Sequence, residues 1–110
     1  MDGPINIGHE ALVCCHEQLV SEIAGDPRQM AGVLFQYRFI SKATKDKVNE
    51  LNETKEYKAR LLVDDIESKI KSFPLLFEQF LAILKKTEAR YTDLIKALEE
   101  KYKRITQYGM

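Results

Sequence analysis

The chain has 110 residues, 45% apolar and 31% charged, enough to bury one core without help from metals or disulfides. Basic and acidic residues are equal at 17 each. Zero net charge gives no basis for bulk attraction to nucleic acid or an anionic membrane, and leaves no long-range repulsion to oppose self-association.

The two cysteines, Cys14 and Cys15, are neighbours, and a disulfide between neighbours strains the peptide that joins them. A reducing cytosolic or nuclear setting is therefore expected, and of the two the cytoplasm is the localisation adopted. The opening "MDGPINIGHE" has no basic region followed by an apolar run, so no signal peptide is expected. Apolar runs stay far below membrane-spanning length.

Period-3.6 patterns recur along the chain and strand signals are nearly absent. A first helix is predicted from about residue 7 to 24, burying Leu12, Cys15, Leu19 and Ile23 and stopped by Gly25. Asp26 is an N-cap and Pro27 fits a first helical position, so a second helix follows with Met30, Val33, Leu34 and Tyr37 inside. "RFISKATKDKVNEL" reads as a turn and a short third helix burying Val48 and Leu51. Thr54 caps a fourth, with the stripe Ala59, Leu62, Val63, Ile66 and Ile70.

In "SFPLLFEQFLAILKK" Ser72 is expected to cap a fifth helix, with Pro74 in its first turn. Phe73, Leu76, Phe77, Phe80, Leu81 and Leu84 cover so wide an arc that this helix is expected at the centre of the fold. A sixth helix carries Tyr91, Leu94, Ile95, Leu98 and Tyr102. Short connections between such helices predict an all-α, six-helix antiparallel bundle.

The residues point away from catalysis and cofactors. His9, Cys14, Cys15 and His16 are zinc-type ligands, but adjacent cysteines on a helix point about 100° apart and cannot easily converge. No Gly-rich phosphate loop or paired-His motif is present, and a crowded small bundle offers little room for a Cys-His hydrolase pocket. Neither an enzyme nor a small-molecule substrate is expected. The tail "KYKRITQY" could touch phosphates, yet its bases equally suit the negative end of a helix dipole.

Three stretches resemble the caspase recruitment domain of the death-fold superfamily. "FPLLFEQFLAILKKTEARYTDLIKALEEKY" is similar to that family's last two helices, "TKEYKARLLVDDI" to its fourth, and "RFISKATKDKVNEL" to its second-to-third junction. The resemblance covers roughly residues 8–102 of a single domain. It implies a death-fold bundle that binds other such domains or itself. The implied contact joins a charged patch on the first and fourth helices to an opposite patch on the second and third. Contacts of this kind do not close, so filaments are possible. Apoptotic or innate immune signalling is the implied setting.

The charges fit two such patches. Residues 1–37 hold five acids and one base, whereas 38–60 hold seven bases and four acids. Glu10, Glu17, Asp64 and Asp65 form the expected acidic patch; Arg38, Lys42 and Lys45 form the basic one. This polarity is the reverse of the family's frequent arrangement, and Lys55, Lys58 and Arg60 interrupt the acidic side. Tyr57 and Leu61, apolar beside acids, are candidates for an interface centre. They equally suit packing inside the bundle. A helical adaptor holding an amphipathic peptide in an interhelical groove is the alternative, and an RNA-binding helical module a third class.

Overall fold

The computed structural model describes residues 6–50, 52–87 and 91–108. Through them run α1 (Ile7–Cys14), α2 (His16–Ile23), α3 (Pro27–Gln36), α4 (Lys42–Glu50), α5 (Lys55–Ser72), α6 (Leu76–Lys86) and α7 (Thr92–Tyr108). No strand occurs among the described residues. The radius of gyration, 13.7 Å, is that of a single packed body of this length.

Side-chain caps set four of the helix starts. Asp26 accepts from the Gln29 N–H at 3.1 Å with Pro27 next in line, and Thr54 accepts from the Tyr57 N–H at 3.1 Å. Ser41 accepts from Thr44 at 3.2 Å to begin α4. Asn6 begins α1 by accepting from His9 at 3.0 Å, and its amide donates to the Ile70 carbonyl at 2.8 Å, at the far end of α5. Each such cap is typically worth about 1 kcal/mol.

Seven helices, not six, make up the described fold, because the long first helix is broken at Cys15. There the backbone leaves the helical region (φ −103°, ψ 16°). The Cys15 N–H reaches both the Ala11 and Leu12 carbonyls at 3.1 Å. The two halves serve different neighbours: α1 packs chiefly on α7 and α5, α2 chiefly on α5. Bending lets Ala11 and Leu12 on one side and Leu19, Val20 and Ile23 on the other all reach the core. The expected stripe is nonetheless buried, Cys15 included.

The centre is α5, which packs against α1, α2, α3, α4 and α6. Its stripe Ala59, Leu62, Val63, Ile66 and Ile70 is entirely buried, each large member contributing about 1.5–3 kcal/mol. The expectation that the Phe-rich helix is central fails, and the reason is Pro74. Proline pushes the residue before it towards extended backbone, and Phe73 sits at φ −135°, ψ 87°. Ser72 therefore ends α5 rather than capping the next helix, and α6 begins at Leu76 without a side-chain cap. Phe73 is 62% exposed and Leu75 86%. The buried arc of α6 narrows to Phe77, Phe80, Ile83 and Leu84, with Phe80 against Phe39 and Phe77 stacked on Tyr102.

Tyr37 is likewise not an inner residue of α3 but its C-cap, and is exposed. The next residue, Arg38, takes a left-handed conformation at φ 58°. That turn sends Phe39 and Ile40 into the core instead. Val48 of α4 is buried as expected, and Leu51 lies outside the described residues.

Two glycines make opposite predictions. A Cβ on Gly8 would stand 2.6 Å from Cβ and 2.7 Å from Cγ of Phe77, the fixed root of a buried ring. A Cβ on Gly32, inside α3, meets nothing within 4 Å. Gly8→Ala is expected to cost about 1–3 kcal/mol in urea unfolding, and Gly32→Ala to add about 0.5–1 kcal/mol. Equal effects would refute the close α1–α6 approach.

Candidate protein-interaction surface

The acidic residues stand on three helices that pack together, α1, α2 and α5. Glu10, Glu17 and Asp64 are exposed; Asp65 is half-buried, and its Oδ2 is enclosed without a hydrogen-bond partner among the described residues. Tyr57, Leu61 and Asp64 are spaced by four and three residues, so they share one face of α5. Tyr57 is 46% exposed and Leu61 half-buried, which gives this strip an accessible aromatic beside its carboxylate.

Much of the acidic charge is already engaged within the bundle. Arg60 donates to both carboxylate oxygens of Glu17, at 3.2 and 3.3 Å, and to Glu56 at 3.0 Å. These hydrogen bonds, and then the guanidinium charge, hold the Glu17 carboxyl below its ordinary value; the same contacts raise Arg60. His16 Nδ1 meets Glu67 Oε2 at 2.9 Å, a second tie between α2 and α5. Glu10 and Asp64 are left exposed and without an ion pair among the described residues.

The basic side gathers around the end of α3. Arg38 and Lys42 are exposed, and the Lys45 ammonium sits 4.5 Å from the centre of the Phe35 ring. Lys86, at the end of α6, lies 5.2 Å from the Tyr37 ring centre. Lys86 joins this surface only through the fold, since nothing in the local sequence links it to a residue 49 positions earlier. Cation–π contacts of this exposed kind are worth about 0.5–1 kcal/mol and bias flexible lysines towards the ring.

Among the described residues three open clefts border α7, and two of them are of equal size. One, of about 380 Å³, lies between α6 and α7 with Phe77, Leu81, Ala82 and Tyr102 as its apolar lining and Glu78 and Lys103 also at its edge. The Lys85–Glu99 ion pair, 3.2 Å, links the two helices there. The other, also about 380 Å³ and more polar, follows the bend between α1 and α2 and includes His16, Lys101 and Arg104. Cys14 is exposed beside it, whereas Cys15 is buried. Burial pushes the Cys15 thiol pKa up, Lys101 draws it down, and Cys14 raises it again. No group of three or more His, Cys, Asp or Glu among the described residues is placed to hold a metal ion. No described helix is long and apolar enough to cross a membrane.

The Glu17–Arg60 pair has a pH signature. Its carboxyl titrates lower in the folded chain than in the unfolded one, so the stabilisation is complete above the ordinary glutamate value and fades as pH falls through the depressed one. A carbon-13 NMR titration should place the Glu17 midpoint below the ordinary glutamate range, and Arg60→Ala should return it upward. An unshifted midpoint in the parent chain would show that the pair does not form in solution.

No family model, no curated protein and no solved structure matches this chain. The resemblance to caspase recruitment domains rests on the residues themselves, and the structure supplies the coarser fact of an all-α bundle capable of protein–protein contacts.

Proposed function

We propose that this chain is a non-enzymatic, cytoplasmic interaction domain that assembles with other caspase recruitment domains, or with itself, in apoptotic or innate immune signalling. The observation that carries this reading is a set of exposed carboxylates on α1 and α5 standing apart from a cluster of cations at the end of α3. Exposed carboxylates of Glu10 and Asp64 stand on α1 and α5, while Arg38, Lys42, Lys45 and Lys86 crowd around the end of α3. One face complements the other, so a head-to-tail contact between copies can repeat without closing. Glu17 and Asp65 have smaller parts in this contact, the first because Arg60 occupies it, the second because it is half-buried.

The test is a charge exchange followed by light scattering. Glu10→Lys with Asp64→Lys, or Lys42→Glu with Lys45→Glu, should each weaken assembly at least tenfold at low salt. Mixing the two variants should restore part of it. Raising ionic strength to about 1 M, where screening acts within ~3 Å, should also weaken the parent assembly. If the mixture assembles no better than either variant alone, the pairing of these faces is wrong.

The α6–α7 cleft favours a second reading, a bundle that seats an amphipathic peptide between helices. Its lining is mainly apolar, and such grooves hold helices by burying one apolar face. Ala82 is exposed on this cleft, so Ala82→Trp should fill it without disturbing the core. Under the charge reading this variant assembles like the parent and keeps its salt response. Loss of binding in Ala82→Trp, with the charge variants unaffected, would transfer the function to the cleft.

A further inference from the structure

Arg38 is the one non-glycine residue with positive φ among those described. It closes α3 through a paired turn: the Phe39 N–H donates to the Leu34 carbonyl at 2.7 Å and the Arg38 N–H to the Phe35 carbonyl at 2.9 Å. In this motif the residue at position 38 must be left-handed, and glycine or asparagine ordinarily takes the place because a Cβ crowds the backbone there. The turn is needed, since it delivers Phe39 and Ile40 to the core. The arginine is not. Its side chain is exposed and makes no hydrogen bond, ion pair or ring contact among the described residues.

The backbone thus disfavours an arginine that the fold leaves unused, and strain of this kind points to a function served elsewhere. The surroundings say what that function is. Lys45 and Lys86 stand over the rings of Phe35 and Tyr37, two residues of the turn itself, so Arg38 follows directly on a stretch already attended by positive charge. Among these cations it alone carries a planar fork that can take both oxygens of a carboxylate. We propose that Arg38 is the specificity-determining anchor of the basic face, gripping the exposed carboxylate of Glu10 or Asp64 on a second copy of this chain. This rests on the assembly reading above and adds to it which residue selects the partner.

Three variants test it: Arg38→Gly, Arg38→Lys, and Lys42→Glu with Lys45→Glu as the control for the face as a whole. Sedimentation equilibrium at low salt reads association, and thermal unfolding followed by circular dichroism reads stability. Arg38→Gly should unfold at a higher temperature than the parent while associating at least tenfold more weakly. Arg38→Lys should unfold near the parent temperature and associate severalfold more weakly, because the charge remains and the fork is lost. If Arg38→Gly is no more stable, the strain argument falls. If Arg38→Gly or Arg38→Lys associates like the parent while the Lys42/Lys45 variant does not, the basic face stands and the anchor is refuted. If the Lys42/Lys45 variant also associates like the parent, or the parent is monomeric throughout, self-assembly through this face fails and the anchor with it.

Discussion

A long helix with one wholly apolar face must be covered along its length, and α5 imposes that demand on most of this molecule. Its stripe from Ala59 to Ile70 has no exposure, so α1 to α4 and α6 all lie against it. α7 completes the body by packing on α1, α2 and α6. Burial on one side fixes what the other side shows. With Leu62, Val63 and Ile66 inward, the period of the helix turns Tyr57, Leu61 and Asp64 away from the stripe. The accessible strip therefore has as its foundation the most deeply packed element of the fold, so the backbone beneath those side chains is already ordered.

Electrostatics refine the surface that packing leaves. Counting charges assigns five acids and one base to residues 1–37, but the count treats every carboxylate as available. Arg60 engages Glu17 and Glu56, and His16 engages Glu67. These pairs are modest contributors to stability at an exposed site. The larger effect of Arg60 is to offset carboxylate charge at Glu17 and Glu56 and leave the outward field to fewer residues.

What the sequence made legible follows physical locality. The stripe of α5 is a period-3.6 pattern within 18 residues, and caps such as Asp26 and Thr54 act over three; both are readable without knowing any neighbour. The bend at Cys15 is not, because no glycine or proline marks it and the apolar stripe runs straight through. It exists to satisfy two packing partners at once. Phe73 misled for a different reason: its hydrophobicity argued for burial, while the proline after it decided the backbone and turned it outward. Of the candidate site, Arg38, Lys42, Lys45 and Asp64 were readable as charged residues, whereas the neutralisation of Glu17 and the arrival of Lys86 depend on contacts 43 and 49 positions apart.

Asn6 joins two helix ends with one side chain. Its Oδ1 serves the first turn of α1, and its Nδ2 serves the carbonyls of Ile70 and Lys71 in the last turn of α5. Fraying at either end therefore removes a hydrogen bond from the other, although the two are more than sixty residues apart in the chain. The start of the first helix and the finish of α5 are thereby tied into one hydrogen-bonded unit. The rim of the bundle here is a seam rather than two loose ends.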